Sequence, residues 1–251
     1  MVEILMAGAL AIPVLAGFIV GATSTLTRPR TARVIGSVIC AFTLLSVTGL
    51  LFFGEQEILL PTWLPGTGEM SLHTGGVGSY AAVMVTGTAL LTALVAPPGR
   101  PIVYSLLLVA LAGANGAFLA GHFLTRYVAL ETVGLCVAAA PIAVLSNREG
   151  MQRTGFVYVL LRLGDAGLLT AILILAKASG SLDISTALAA GPALSSADLI
   201  WTVAGLTLAV WIKCGIWPLH GWLAAAAGLD RVTNAWLYGT AMQSLGLYLL
   251  Y

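Results

Sequence analysis

Along the 251 residues, about eight stretches are almost continuously apolar, each close to 20 residues long and separated by short polar turns. A bilayer span needs about 20 such residues in a helix. Lipid offers no hydrogen bonds to the backbone, so each stretch must satisfy its own amides, which a helix does. The stretches are 4–22, 34–53, 80–96, 101–120, 123–145, 154–176, 198–213 and 234–251. The expected fold is therefore all-α, a polytopic bundle of about eight transmembrane helices. Hydrophobic residues make up 59% and charged residues 8%, against about a quarter charged in a soluble domain, so no soluble domain fits between the spans. The first stretch lacks a basic region before it and is expected to be a span, not a removed signal. Residues 54–79 form a polar interval in which EILLPTW and EMSLHTG flank Leu-Pro-Gly-Thr-Gly. Turn residues between two short β-compatible runs predict a small surface hairpin. Residues 177–197 are a Gly, Ser and Ala-rich link. The last apolar stretch runs to Tyr251, and the expectation is a short molecule or a partner covering its final turn.

Charge narrows the function. Eleven basic against ten acidic residues give a net charge of +1, without the clustered Lys and Arg that a nucleic-acid partner requires. Cys40, Cys136 and Cys214 are far apart, so no redox centre, metal or other cofactor is expected in this chain. No Ser-His-Asp set or phosphate loop is present either, so no catalytic site is expected. Alternate loops carry Arg28, Arg30 and Arg33, then Arg100, then Arg148 and Arg153, then Arg231. Basic loops stay cytoplasmic, which places the N-terminus and the hairpin on the outer face.

Apart from Arg126 and Asp198 near the starts of their windows, four charged residues fall within or at the end of apolar stretches. Lys213 ends the seventh in WIKCGIWPLHGWL, and Pro218 follows it. Proline removes a backbone donor and disfavours helix at Trp217, so a charge and a helix break coincide. An intramembrane lysine costs about 2.5–3.5 kcal/mol on insertion scales and normally faces a partner charge or water; snorkelling to the headgroups is the plainer alternative. Glu131 lies well inside the fifth stretch without a cation on its own face, which points to Lys213 on a neighbouring helix. Arg162 and Asp165 share a face at i and i+3 and can pair locally, serving packing alone. A carboxylate and an amine that pair and separate in a low dielectric form a proton switch. His220 can titrate near neutral pH, and Tyr238, Thr240, Gln243 and Asn115 could extend a polar path.

LETVGLC around Glu131, LLRLGDAGLL around Asp165 and Lys213-x4-Pro218-x3-Trp222-Leu223 resemble, in order and spacing across 120–223, the antiporter-like membrane subunits of respiratory complex I and multisubunit Na+/H+ antiporters. The largest of the complex I subunits is the most similar, and TWLPGTGEMSLHTGG resembles that family's hairpin. The resemblance implies a glutamate, Glu131, controlling a broken-helix lysine, Lys213, in a proton half-channel. It divides the chain into a three-helix region at 1–100, with the hairpin, and a five-helix antiporter-like repeat at 101–251. Two departures stand out. GLDRVTNAWLYG replaces the expected PTPVSAL-like segment and places Tyr238 where an eighth-helix histidine is usual, and the family's second, inverted repeat would begin just past Tyr251, so that only the first repeat is expected within these residues.

The expected function is a proton-translocating subunit, in an energy-coupling membrane of the bacterial plasma-membrane type, of a larger ion-pumping or redox-coupled complex such as an NADH:quinone oxidoreductase-like translocase. Its expected path comprises Glu131, Lys213, His220 and Tyr238, supported by the Arg162–Asp165 pair. Expected partners are other integral membrane subunits, the bilayer, and protons or monovalent cations. A non-conducting structural subunit and a subunit of an energy-coupled inorganic-carbon uptake system are the alternatives.

Overall fold

The computed structural model describes residues 1–60 and 70–251. The apolar windows are helical as their composition requires: α1 Val2–Ala22, α2 Pro29–Leu51, α3 Gly76–Val95, α4 Pro101–Leu119, α5 Phe123–Leu145 and α6 Arg148–Ser179. After α6 come a short α7 (Ile184–Ala189), a 3-10 turn at Gly191–Ala193 and α8 (Ser196–Lys213). Among the described residues, seven helices, α1 to α6 and α8, are long and apolar enough to cross a membrane. The chain is an integral membrane protein.

Helix α6 has 32 residues, starting six positions before the apolar window at 154. The Asn147 side chain caps it by accepting from the Gly150 amide at 2.9 Å, and the Glu149–Arg153 pair adds i,i+4 support across the polar first turns. Within the Gly, Ser and Ala-rich link, Asp183 caps α7, accepting from the Thr186 amide at 2.8 Å and from Ser185 Oγ at 2.7 Å. Partial burial pushes the Asp183 carboxyl up, but these bonds outweigh it and hold the group below its ordinary value.

Beyond α8 the chain turns through Gly215, whose φ of 63° suits glycine, and through Pro218 to α9 (Gly221–Ala226). The helix break expected near Lys213 is therefore present. The eighth window is helical in three pieces: α10 (Arg231–Asn234), a π-helical segment Ala235–Met242, and α11 (Gln243–Tyr248). Its widened ladder is why it differs from the seven regular spans.

The hairpin's strands are β1 (Glu57–Leu60) and β2 (Met70–His73), antiparallel with Glu57 opposite His73 and Leu60 opposite Met70. The expected Leu-Pro-Gly-Thr-Gly turn and Glu69 lie outside the described residues. A bridge from Leu72 to Ala120 ties the hairpin to the α4–α5 turn, and one from His122 to Asp183 ties that turn to the start of α7. One large apolar cluster runs from Met6 to Leu245. Helix α4 is buried on nearly every side, packed by α1, α3 and α5, while α6 lies between α5 and α8.

Candidate functional site

The intramembrane charges meet where α5, α6 and α8 adjoin. Helices α6 and α8 approach closely because glycines face each other: a Cβ on Gly167 would lie 2.6 Å from the Gly205 carbonyl oxygen, and one on Gly205 would lie 2.4 Å from that of Gly167. Small residues allow such backbone contact between membrane helices. The close crossing brings Asp165 of α6 within reach of Lys213 at the end of α8. The Lys213 ammonium donates to Asp165 Oδ1 at 2.6 Å, and both side chains are almost sealed, at 1% and 2% exposure.

Lys213 does not contact Glu131, correcting the expected partnership. Glu131 Oε2 is held by the Arg162 guanidinium, whose other terminal nitrogen lies 2.9 Å from Asp165 Oδ2. The Arg162–Asp165 pair is not self-contained. A guanidinium carries five donors in a planar fork, so Arg162 bridges two carboxylates and the four residues form a continuous row, Glu131–Arg162–Asp165–Lys213. Two anions and two cations leave the row neutral, which makes charge in lipid tolerable. The Arg162 guanidinium carbon also lies 5.2 Å from the centre of the Tyr158 ring, a contact that adds a weak cation–π attraction.

The break after Lys213 frees carbonyls, and side chains take them up. Trp222 Nε1 donates to the Ile212 carbonyl at 2.7 Å, Gln243 Nε2 to that of Cys214 at 3.4 Å, and Trp211 Nε1 to that of Trp217 at 2.9 Å. Irregular backbone at membrane depth requires such substitutes. Trp222 is buried completely and locks the backbone beside Lys213. Its Trp-Leu position inside the motif is the one signal that could have found it.

The remaining expected site residues are scattered. Tyr238 is buried, but its hydroxyl donates to the Ala226 carbonyl at 2.8 Å and its ring meets Trp222 edge-on at 6.1 Å. It fixes the end of α9 and holds no side-chain proton partner among the described residues. His220 is exposed at the start of α9. Thr240 is half-buried and bonds its own helix. Asn115 belongs to another group altogether, receiving a hydrogen bond from Thr86 and donating to the Ala9 carbonyl between α1, α3 and α4. Among the described residues no cluster of metal-ligating side chains is present.

The family profile described as "NADH:quinone oxidoreductase/Mrp antiporter, TM" matches residues 120–251, just over half of the chain. The chain is 26% identical over 180 residues to a subunit of the Na(+)/H(+) antiporter of Bacillus subtilis (strain 168), covering 67% of this chain and 36% of that protein. It is 29% identical over 153 residues to a subunit of a probable K(+)/H(+) antiporter of Rhizobium meliloti (strain 1021), covering 59% and 28%. The chain thus spans about a third of the length of the curated relatives it matches. Among solved structures, the Mrp complex from Dietzia sp. DQ12-45-1b contains a chain of the same fold, with a TM-score of 0.82 at 20% identity, covering 96% of this chain and 27% of that one. Respiratory complex I from Thermus thermophilus contains another, at 0.72 and 20%, covering 96% and 52%.

Proposed function

Because the chain belongs to the NADH:quinone oxidoreductase/Mrp antiporter membrane family, we propose that it is a proton-translocating subunit of a larger ion-pumping or redox-coupled complex. The observation that carries this reading is the sealed Lys213–Asp165 contact at a helix break, joined through Arg162 to Glu131.

Arginine keeps its proton throughout the working pH range, so Arg162 moves charge by moving its fork. Proton carriers are Glu131, Asp165 and Lys213. With Glu131 ionised, Arg162 is shared between two carboxylates and Asp165 keeps enough negative character to hold Lys213 charged. When Glu131 takes up a proton, Arg162 is left to Asp165 alone. Asp165 is then neutralised from the other side, and the desolvated Lys213 ammonium is favoured to release its proton. Proton uptake at Glu131 and release at Lys213 are coupled in this scheme without any direct contact between them. His220, exposed beyond the break, exchanges protons with water at that end, and Tyr238 holds α9 in place. The names of the relatives suggest Na+ or K+ as the ion exchanged for the proton.

The test is proton flux through the reconstituted parent complex, followed with a pH-sensitive dye. Lys213→Met is expected to abolish flux at normal assembly. Near-normal flux in that variant would remove the conducting reading and leave a structural subunit.

A further inference from the structure

On the hairpin side, a cleft of about 560 Å³ runs between β1, the α4–α5 turn, α7 and the end of α11. A second cavity of about 130 Å³ lies deeper among α5, α6 and α8, lined mainly by apolar side chains such as Phe123, Leu168, Ile172 and Leu206. The two adjoin, because Arg126, Ile184 and Leu188 line both. Arg126 stands at the junction. One terminal nitrogen donates to the Ala120 carbonyl at 3.1 Å and the guanidinium carbon lies 4.9 Å from the centre of the Tyr248 ring. Its Nε is buried with no partner, and no carboxylate pairs with Arg126 among the described residues. Glu55 lines the same cleft and makes no ion pair among the described residues. Deeper in, the Thr202 hydroxyl, on a residue only 8% exposed, lines the apolar cavity without a partner.

A half-buried arginine without a counter-charge is costly, and a guanidinium binds phosphate bidentately. A polar cleft that opens past such an arginine into an apolar cavity matches a molecule with a charged head and a hydrocarbon tail. Depth agrees with this. Arg126 lies three residues into α5 and Thr202 six residues into α8, about 5 Å and 9 Å from the helix starts at 1.5 Å per residue, which is the order of phosphate above glycerol ester in a bilayer leaflet. The unpaired Glu55 carboxylate adds a site for a positive group on the same head.

We propose that this double cavity binds one zwitterionic phospholipid of the phosphatidylethanolamine type. Its phosphate lies on Arg126, its primary ammonium faces Glu55, an ester carbonyl accepts from Thr202, and the start of one acyl chain fills the apolar cavity. The site is independent of ion translocation.

The experiment uses the purified parent complex, delipidated in detergent and given back phosphatidylethanolamine, phosphatidylcholine or phosphatidylglycerol. Lipid retained per chain is read by mass spectrometry, and stability by thermal melting. Phosphatidylethanolamine is expected to be retained at about one per chain, and about tenfold better than the other two, whose heads lack the ammonium N–H donors. Arg126→Gln should lose retention of all three lipids. Glu55→Gln, an exposed change that leaves the core intact, should lose only the preference for ethanolamine. Equal retention of the three lipids by the unaltered chain, or undiminished retention in Arg126→Gln, would overturn the proposal. So would equal stabilisation by inorganic phosphate alone, which would mark a free-anion site.

Discussion

Asp165→Asn leaves the Lys213 ammonium, 1% exposed, against a neutral amide. Breaking a buried pair in this way typically costs about 3–5 kcal/mol because the surviving charge is uncompensated. Asp165→Asn is therefore expected to lower the melting temperature of the complex sharply, and Asp165→Asn with Lys213→Met to recover much of that loss while leaving proton flux absent. Glu131→Gln should reduce flux with a smaller loss of stability, because Arg162 keeps Asp165. An equal melting temperature for Asp165→Asn and the unaltered complex would refute the pairing. At this scale the sequence is half legible. Charge inside apolar windows marks all four members of the row. It does not say which helices adjoin, so Lys213 matches the lone Glu131 on sequence alone, and the local i,i+3 spacing conceals that Arg162 has donors enough to serve two carboxylates.

The α6–α8 crossing depends on facing glycines. Gly205→Leu forces the backbones apart, an overpacking cost of about 1–3 kcal/mol, and should lengthen the Asp165–Lys213 contact enough to reduce flux even where the complex still assembles. Flux at the unaltered rate from assembled Gly205→Leu would argue against that dependence. Element α7 offers a milder test through its cap. Asp183→Ala should cost about 1 kcal/mol. Because the folded-state carboxyl lies below its ordinary value, its contribution is fully present above the unfolded pKa of about 4 and is lost as pH falls through the lower folded value. Melting of the variant and the unaltered chain should thus converge only in strongly acidic buffer. Spans are the most legible elements, since a window of 20 apolar residues leaves few choices, and α5 agrees with its predicted limits. The first turns of α6 and all of α7 are not legible, being too polar or too rich in small residues for periodicity to register; their caps are what hold them. Nor does any pattern announce the π-helical segment, within which Trp236 and Tyr238 are buried.

For the whole molecule, the distribution of arginines gives an expected orientation with the hairpin outside. A cysteine introduced at Glu55 should react with an impermeant thiol reagent from the outer side and one at Asn147 from the cytoplasmic side. The reverse pattern would invert the assignment. The length of α6 then acquires a mechanical meaning. Its 32 residues extend about 48 Å at 1.5 Å each, against a hydrocarbon core of about 30 Å, so its polar first turns stand clear of the bilayer or the helix leans steeply. Either way, Arg162 and Asp165 are mounted on a stiff rod whose handle lies at the membrane surface. In the proposed scheme, a neighbouring subunit that tilted this handle would alter how the guanidinium is divided between its two carboxylates, and so would drive the row from a distance as a lever drives a latch.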